Sequence, residues 1–506
     1  MNRQQLSPIA ENLIGIFIKE RPFEFEKRIS VDPVVARFAS FYEKLRNAME
    51  YQDEEVILRS AIERILKRRL ILDSRGEMVA EPLVRELAWA RYFPDNTIPE
   101  SFIDKISTKI NLYIKLSQEV PKKYRINREK VYNWLVQALS TDINFILNPD
   151  LDTQLMCNFT FHILKKKVDM PEETEEAKDA LVFINVRRAF AKEDLGFLRY
   201  HLFNQYFGEL TEKTYQRILE EFPKGYEKIE QTFRHPLNSR IYSFLKKQAI
   251  PFIILKDLIR KSKDKVYDIV ENTENLGALV MKICDLRYKQ IYQKVQTALI
   301  RSVIFLFATK ALFGLLVEGS YERLVLGGID WRSIFLNTLT PPFLMVLAIF
   351  FIKTPDRNNS LKILTRINSI LFDPNVSVVE SKSFQTRSRW HPILYAIFIL
   401  LWLSSLFIGI YSVNYLLNLF KVNLVSKSVF IFFLIIVSFL AFRINQSASI
   451  YSVVVERRGI RSVLFDFFFM PFIYLGRRLT LSFSKINVLL FEQWFSFLRS
   501  RREELG

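Results

Sequence analysis

Four long apolar segments lie in the C-terminal part of this 506-residue chain. A helix needs about 20 apolar residues to cross the hydrocarbon core of a bilayer, and about 17 is a lower limit. The third segment is the clearest, because Ile393–Leu416 contains no charged residue. The first and fourth segments are shorter and must extend into flanking residues. The pattern predicts a helical membrane bundle of about four spans, at residues 302–317, 334–352, 393–416 and 425–442.

The first 297 residues have a different pattern, in which apolar side chains recur at helical spacing. Ile62, Ile65 and Leu66 fall on one side of a predicted helix, and Glu63 and Lys67 fall on the other. Glycine, which turn-rich β folds need, is scarce, with 14 in the chain. We therefore predict an all-α fold: a cytoplasmic helical domain at 1–297, a transmembrane domain at 298–443 and an amphipathic tail at 444–506. Residues 1–275 are expected to fold as a soluble fragment.

Most of the positive charge accompanies the apolar part of the chain. The formal net charge is +18, and residues 299–506 contribute 23 basic against 11 acidic residues, a net of +12. A nucleic-acid-binding protein would concentrate its basic charge on a soluble face. Basic residues beside membrane segments instead favour anionic lipid headgroups. We expect membrane lipids as partners, together with a protein partner of the helical domain, and no nucleic acid.

The distribution of basic residues also predicts the orientation. Seven basic residues lie in the loop 353–391 and ten in the tail from Arg443, whereas the other two loops hold two each. Because basic loops stay in the cytoplasm, this order predicts a multi-pass protein of the bacterial cytoplasmic membrane with both termini in the cytoplasm. The apolar run Leu13–Ile18 is too short for a signal peptide, which agrees with that orientation.

The tail contains a fifth apolar run, Val463–Gly476, with Asp466 and Pro471 inside it. If this run crossed the membrane, six basic residues would be placed outside, so we predict an interfacial or shallow re-entrant segment. The residues after it combine apolar and basic side chains, which is typical of a helix lying on a leaflet. The predicted interface residues are Arg477, Arg478, Lys485, Trp494, Arg499, Arg501 and Arg502.

Two ionisable residues in or next to the first span form a candidate polar site. Lys310 lies in the middle of the span and Glu318 closes it. Eight residues correspond to about 12 Å along a helix, so the sequence predicts that the two share a side and do not pair directly. Intramembrane charges often mark ion paths or helix contacts. The alternative is structural, with Lys310 snorkelling or meeting Asn337 or Thr340.

The second span contains Pro341-Pro342 directly after Thr340, and this dipeptide predicts a break or a kink. Broken helices form binding sites in transporters. A simple kink is the other interpretation, because a matching break in an inverted repeat is lacking.

The sequence contains no pattern that predicts a catalytic, cofactor or metal site. The two cysteines, Cys157 and Cys284, form no spaced pair, and the four histidines are scattered. Cys157 and His162 are five residues apart, but a nucleophile needs a base and an orienting group within hydrogen-bond reach. Cys157 is therefore expected to be a buried core residue, and we predict no enzymatic activity.

Three C-terminal stretches resemble a family of uncharacterised multi-pass membrane proteins from bacteria with reduced genomes. They are ATKALFGLLVEGSYERL (308–324), NTLTPPFLMVL (337–347) and LFDFFFMPFIYLGRRLTLSFSKINVLLF (464–491). The resemblance covers about the last 200 residues. It implies a recurring type of membrane domain and assigns no activity to any residue.

Three functional hypotheses follow from these features. The leading hypothesis is a membrane-anchored scaffold whose cytoplasmic domain docks a partner. The second is a small transporter or channel component that uses Lys310, Glu318 and the Pro341-Pro342 break. A lipid-modifying enzyme is a third class, without a motif behind it.

Overall fold

The computed structural model describes residues 6–18, 54–94, 97–262, 265–325, 327–328, 331–349, 355–386, 392–420, 422–453 and 467–479. Helices dominate these residues, which confirms the predicted all-α class. Within them, two strands of two residues each, β1 (Val168–Asp169) and β2 (Lys382–Ser383), pair in parallel. The chain folds into two compact units. The first unit comprises Met1–Val280 and Ile363–Thr386, and the second comprises Met281–Lys362 and Arg387–Gly506.

The first unit is a stack of amphipathic helices joined by short connections. Asparagine, aspartate and threonine start several of them by accepting a hydrogen bond from a backbone N–H in the first turn. The helices are α1 (Pro8–Ile18), α2 (Glu54–Leu72), α3 (Gly76–Trp89), α4 (Ser101–Tyr124), α5 (Arg128–Leu147), α6 (Leu151–Leu164), α7 (Glu175–Phe190), α8 (Leu195–Phe207), α9 (Tyr215–Arg234), α10 (Asn238–Ser262) and α11 (Val266–Glu271); α12 (Thr273–Phe313) begins in this unit.

The core of the first unit is built around aromatic side chains. Trp134 on α5 is almost fully buried, and its ring contacts Phe203 of α8 and Phe222 and Tyr226 of α9. The indole N–H donates to the Glu230 carboxylate at 2.9 Å, so the polar end of the ring is also bonded. Burying such rings stabilises the unit through both area and ring geometry.

Residues 363–386 belong to the first unit, although the sequence places them in a loop between two membrane spans. They include the second half of α15 (Arg357–Phe372) and β2. The Ser7 N–H donates to the Leu371 carbonyl at 2.8 Å, and β2 pairs with β1 in the register Val168 to Lys382. The apolar side chains that this segment buries are Ile363, Ile367, Ile370, Leu371, Val376, Val379 and Phe384.

The second unit contains the apolar helices. α12 continues through a π-helical turn (Gly314–Gly319) into α13 (Ser320–Val325). The other helices are α14 (Trp331–Ile349), α16 (Pro392–Leu419), α17 (Leu424–Ala448) and α18 (467–479). Among the described residues, three helical stretches are long and apolar enough to cross a membrane: Thr273–Val325, Pro392–Leu419 and Leu424–Ala448.

The second predicted span, 334–352, coincides with α14, a helix of 19 residues that is not among those three. Pro341 and Pro342 lie inside this helix, so the predicted break is wrong: the chain stays helical through both prolines. A proline in a helix lacks the N–H that would bond the carbonyl four residues earlier. The carbonyls of Asn337 and Thr338 are therefore released from the hydrogen-bond ladder of α14.

α18 covers the described part of the fifth apolar run. A Cβ atom built on Gly409, in the middle part of α16, would lie 2.5 Å from the Phe472 ring of α18. One built on Gly476 would lie 2.5 Å from the Ile435 carbonyl of α17. The two glycines allow α18 to approach both apolar helices away from their ends.

Candidate functional site

Lys310 and Glu318 form a direct ion pair in which both side chains are fully buried. This contradicts the sequence-based expectation that eight residues keep them apart. It also means that Lys310 is not an isolated buried charge, since its ammonium meets a carboxylate of its own chain. Separating the partners in such a place would leave a charge without water, which costs several kcal/mol.

The π-helical turn between the two residues explains how they meet. Eight residues of an α-helix advance two turns plus about 80°. A π turn bonds residue i to i+5 and so takes up about one residue more, which brings residue 318 nearly back above residue 310. Gly314 and Gly319 are five residues apart and bound this turn. Gly314 also permits close packing, because a Cβ there would lie 3.2 Å from Ile334 and 3.3 Å from the Thr338 hydroxyl.

Two asparagines extend the ion pair into a network over three chain segments. Asn337 of α14 donates to Glu318 Oε2 and to the Ser426 carbonyl of α17, both at 3.2 Å. Asn423 accepts from the Ser426 N–H at 2.8 Å, which starts α17. Its amide group donates to Glu322 at 2.6 Å. The structure thus joins Lys310, Glu318 and Asn337 in one network, in which Asn337 bonds Glu318. The partly buried Thr340 lies three residues further along α14.

Three further members of the network, Glu322, Asn423 and Ser426, are not among the site residues predicted from the sequence. Glu322 and Ser426 are almost fully buried, and the Ser426 hydroxyl has no hydrogen-bond partner among the residues that the structure describes. Asn423 carried a readable signal, since an asparagine just before an apolar run is a typical helix N-cap. Glu322 lies four residues after Glu318, one turn further along α13. Its role depends on a contact with a residue 101 positions away, which spacing alone does not reveal.

Apolar side chains surround the other side of the ion pair. The Lys310 ammonium lies 5.5 Å from the centre of the Phe433 ring of α17, within reach of a cation–π interaction. Leu306, Met345 and Val437 belong to the same buried cluster as Phe433. The network links the helix that carries Lys310 and Glu318 to α14 and α17. Its two charges neutralise each other inside an apolar bundle.

The first unit contains a second buried ion pair. The Arg187 guanidinium donates to both Glu193 oxygens, at 2.9 and 3.0 Å, and His201 Nε2 lies 3.2 Å from the same carboxylate. Burial raises the pKa of Glu193, but Arg187 and His201 lower it more, to about 2. Burial lowers the pKa of His201, and Glu193 offsets only part of that effect.

Cys157 is a buried residue of α6 in the first unit. Burial raises the pKa of its thiol to about 12, so the thiol is protonated at neutral pH and is a poor nucleophile. Within the described residues, no group of three or more His, Cys, Asp or Glu side chains is placed to hold a metal ion.

Of the predicted membrane-interface residues, Arg477 and Arg478 lie in the last turn of α18 and are exposed. The Arg478 guanidinium donates to the Tyr474 hydroxyl at 2.7 Å. The other members of that set lie outside the residues that the structure describes: Lys485, Trp494, Arg499, Arg501 and Arg502.

Comparison of the chain with protein-family models, with curated proteins and with solved structures finds no match.

Proposed function

We propose that this protein is a membrane-anchored scaffold of the bacterial cytoplasmic membrane, in which the first unit docks a protein partner on the cytoplasmic side. The observation that carries this proposal is that the first unit is built from two separate segments of the chain. Residues 363–386 fold with residues 1–280, while the chain on both sides of that segment consists of apolar helices of the second unit. The partner-docking unit is therefore joined to the membrane part at several points of the chain.

The two-segment structure of the first unit also supports a topology in which the membrane-spanning helices occur in pairs. The chain leaves the first unit after Val280 and returns to it at Ile363, so it crosses the membrane an even number of times between them. If the apolar stretch before Val325 crosses, α14 must cross back. A helix of 19 residues is about 28 Å long, close to the hydrocarbon thickness of about 30 Å.

The last two spans are supported by contacts around Asn359. This almost fully buried side chain donates to the Tyr288 hydroxyl at 2.7 Å and to the Tyr451 carbonyl at 2.8 Å, and it accepts from the Val453 N–H at 2.8 Å. These contacts support a topology in which the start of α15 and the chain after α17 lie on the same side of the membrane. α16 and α17 lie between them and form the second pair of crossings, which returns the chain to the cytoplasm.

Cysteine labelling tests the topology. With Cys157 and Cys284 replaced by alanine, Ser381→Cys should resist a membrane-impermeant thiol reagent in intact cells and react after lysis, and Ser320→Cys should react before lysis. Both side chains are exposed, whereas Ser360 in the same loop is fully buried and would be silent on either side. Reaction of Ser381→Cys in intact cells would refute the cytoplasmic placement of the first unit.

The docking role is supported by apolar side chains that the first unit leaves exposed. Ile71 and Leu72 end α2 and Met78 follows in α3; their exposed fractions are 82%, 81% and 56%. A photo-crosslinking residue at Leu72 should capture one discrete protein in native membranes, and Ile71→Asp should abolish the adduct. The same crosslinker at Arg85, an exposed residue of α3, serves as the control. An equal adduct from both positions would mean that contact at Leu72 is incidental.

A second candidate function, a small transporter or channel component, is favoured by the polar network around Glu318. Lys310→Met distinguishes the two functions. A scaffold with this substitution should still yield the Leu72 adduct, whereas a transport path should lose its flux while the adduct is unchanged.

A further inference from the structure

The Lys310–Glu318 ion pair and the π-helical turn depend on each other geometrically. In a regular α-helix the two side chains would be offset by about 80° around the axis. The turn removes most of that offset, and the salt bridge in return holds the wider turn in place. The apolar surroundings strengthen this dependence, because neither charge has water as an alternative partner.

The residues on the two sides of the turn have separate anchors. Before it, the Phe313 ring stacks on Phe432 of α17 with centroids 6.2 Å apart. After it, Gly319 lies against Ile334 of α14, and Glu322 accepts a hydrogen bond from Asn423. A return of the turn to α-helical bonding would rotate the second set of residues relative to the first.

We propose that the ion pair acts as a latch on a two-state helix. With the salt bridge formed, the turn is π-helical and Glu322 faces Asn423. With it broken, residues 314–319 take α-helical bonding and the segment 319–325 turns by up to about 80° about its axis. Glu322 then leaves Asn423. Single π turns inside helices are rare and often mark functional sites, and a helix that changes register is a known switching element.

The latch is independent of whether the protein anchors a partner or conducts a solute. It supplies a means of coupling the bundle around Phe433 to the connection between α16 and α17, where Asn423 lies. The coupling runs through one helix and requires no movement of α14 or α17.

Disulfide trapping in the full-length protein in native membranes tests the latch. In a background with Cys157→Ala and Cys284→Ala, the reporter pair is Gly319→Cys with Ile334→Cys. A Cβ at residue 319 would lie 3.9 Å from the Ile334 side chain and no nearer than 3.4 Å to any other atom, so the substitution is tolerated. Phe313→Cys with Phe432→Cys is the matched pair before the turn.

The reporter disulfide should form readily with Lys310 present and fall several-fold in Lys310→Met, while the matched pair keeps its yield. Lys310→Arg, which keeps the charge, should restore the reporter disulfide. An unchanged reporter yield in Lys310→Met would overturn the latch. Loss of both disulfides would also overturn it, because the ion pair would then hold the whole bundle and not the turn.

Discussion

Both units of this protein contain a compact ion pair whose two side chains are almost fully buried, and the two pairs are built differently. In the first unit, Glu193 meets the Arg187 guanidinium and the His201 ring, which burial keeps neutral at neutral pH by lowering its pKa. In the second unit, Glu318 meets one ammonium, from Lys310, and the neutral amide of Asn337. The first pair closes the connection between α7 and α8, and the second spans a π turn within one continuous helix.

The two pairs should respond differently to loss of the residue that supplies the positive charge. A carboxylate next to a histidine retains a group that can take up a proton and supply positive charge. Glu318 is bonded by an amide that stays neutral. The first unit should therefore lose less stability when its ion pair is disrupted than the second unit loses when its own ion pair is disrupted.

The first unit has its own buried core, to which both of its chain segments contribute. Removing the shorter segment should have the largest effect of the changes considered. The structure revises the sequence-based expectation that residues 1–275 fold as a soluble fragment, because residues 363–386 belong to the same unit. We now expect residues 1–280 alone to be largely unfolded or aggregated. Seven apolar side chains of residues 363–386 are buried, and at about 1.5–3 kcal/mol each their loss amounts to roughly the whole stability of a domain. Circular dichroism and urea unfolding measure the effect.

The control is the same fragment joined by a flexible glycine–serine linker to residues 363–386. It should be soluble, highly helical and unfold cooperatively. If residues 1–280 alone were as stable as this fusion, the segment would be dispensable, and the argument for paired crossings would lose its main support.

The next largest effect is expected at the Lys310–Glu318 ion pair of the second unit. Glu318→Leu should destabilise the full-length protein by about 3–5 kcal/mol, because it leaves the Lys310 ammonium buried without its carboxylate. The double variant Lys310→Met/Glu318→Leu should recover most of that loss, since replacing both charges by apolar groups is often neutral. Unfolding midpoints in lipid nanodiscs measure the stability of both variants. A double variant as unstable as Glu318→Leu would contradict the pairing.

A smaller loss, about 1–3 kcal/mol, is expected for Arg187→Met in the first unit. Without Arg187, His201 can take up a proton and become the cationic partner of Glu193, so the free energy of unfolding should recover partly as the pH is lowered from 8 to 6. Adding His201→Gln to this variant should remove that recovery. If Arg187→Met costs as much as Glu318→Leu at every pH, the two pairs do not differ as proposed.

The fold class follows from the sequence because both patterns that determine it are local. Helical spacing of Ile62, Ile65 and Leu66 and the uncharged stretch Ile393–Leu416 need no knowledge of distant residues. The assignment of residues 363–386 to the first unit does not follow, since β2 is two residues long and its partner lies more than 200 positions earlier.

The candidate site was predictable only in part for the same reason. An ionisable residue inside an apolar segment identifies Lys310 and Glu318 from the sequence alone. Their pairing depends on a π turn, which changes the number of residues per turn and so invalidates spacing arguments based on a regular α-helix. The positions of Asn337, Asn423 and Ser426 are fixed by packing between helices, which a single sequence does not show.

The smallest expected effect is the pH dependence that His201 gives to the first unit. Burial lowers the pKa of His201 below the usual 6.5, so the unfolded chain binds this proton more readily than the folded chain. The free energy of unfolding should therefore fall as the pH drops below about 6.5, by at most about 1.4 kcal/mol per pH unit. Above that pH the His201 contribution is constant. Urea unfolding of the native sequence and of His201→Gln between pH 7.5 and 5 measures the difference, and the two curves should diverge only on the acidic side. Parallel curves over this range would show that His201 binds its proton equally well in the folded and unfolded states. The pKa of His201 would then not be lowered by folding.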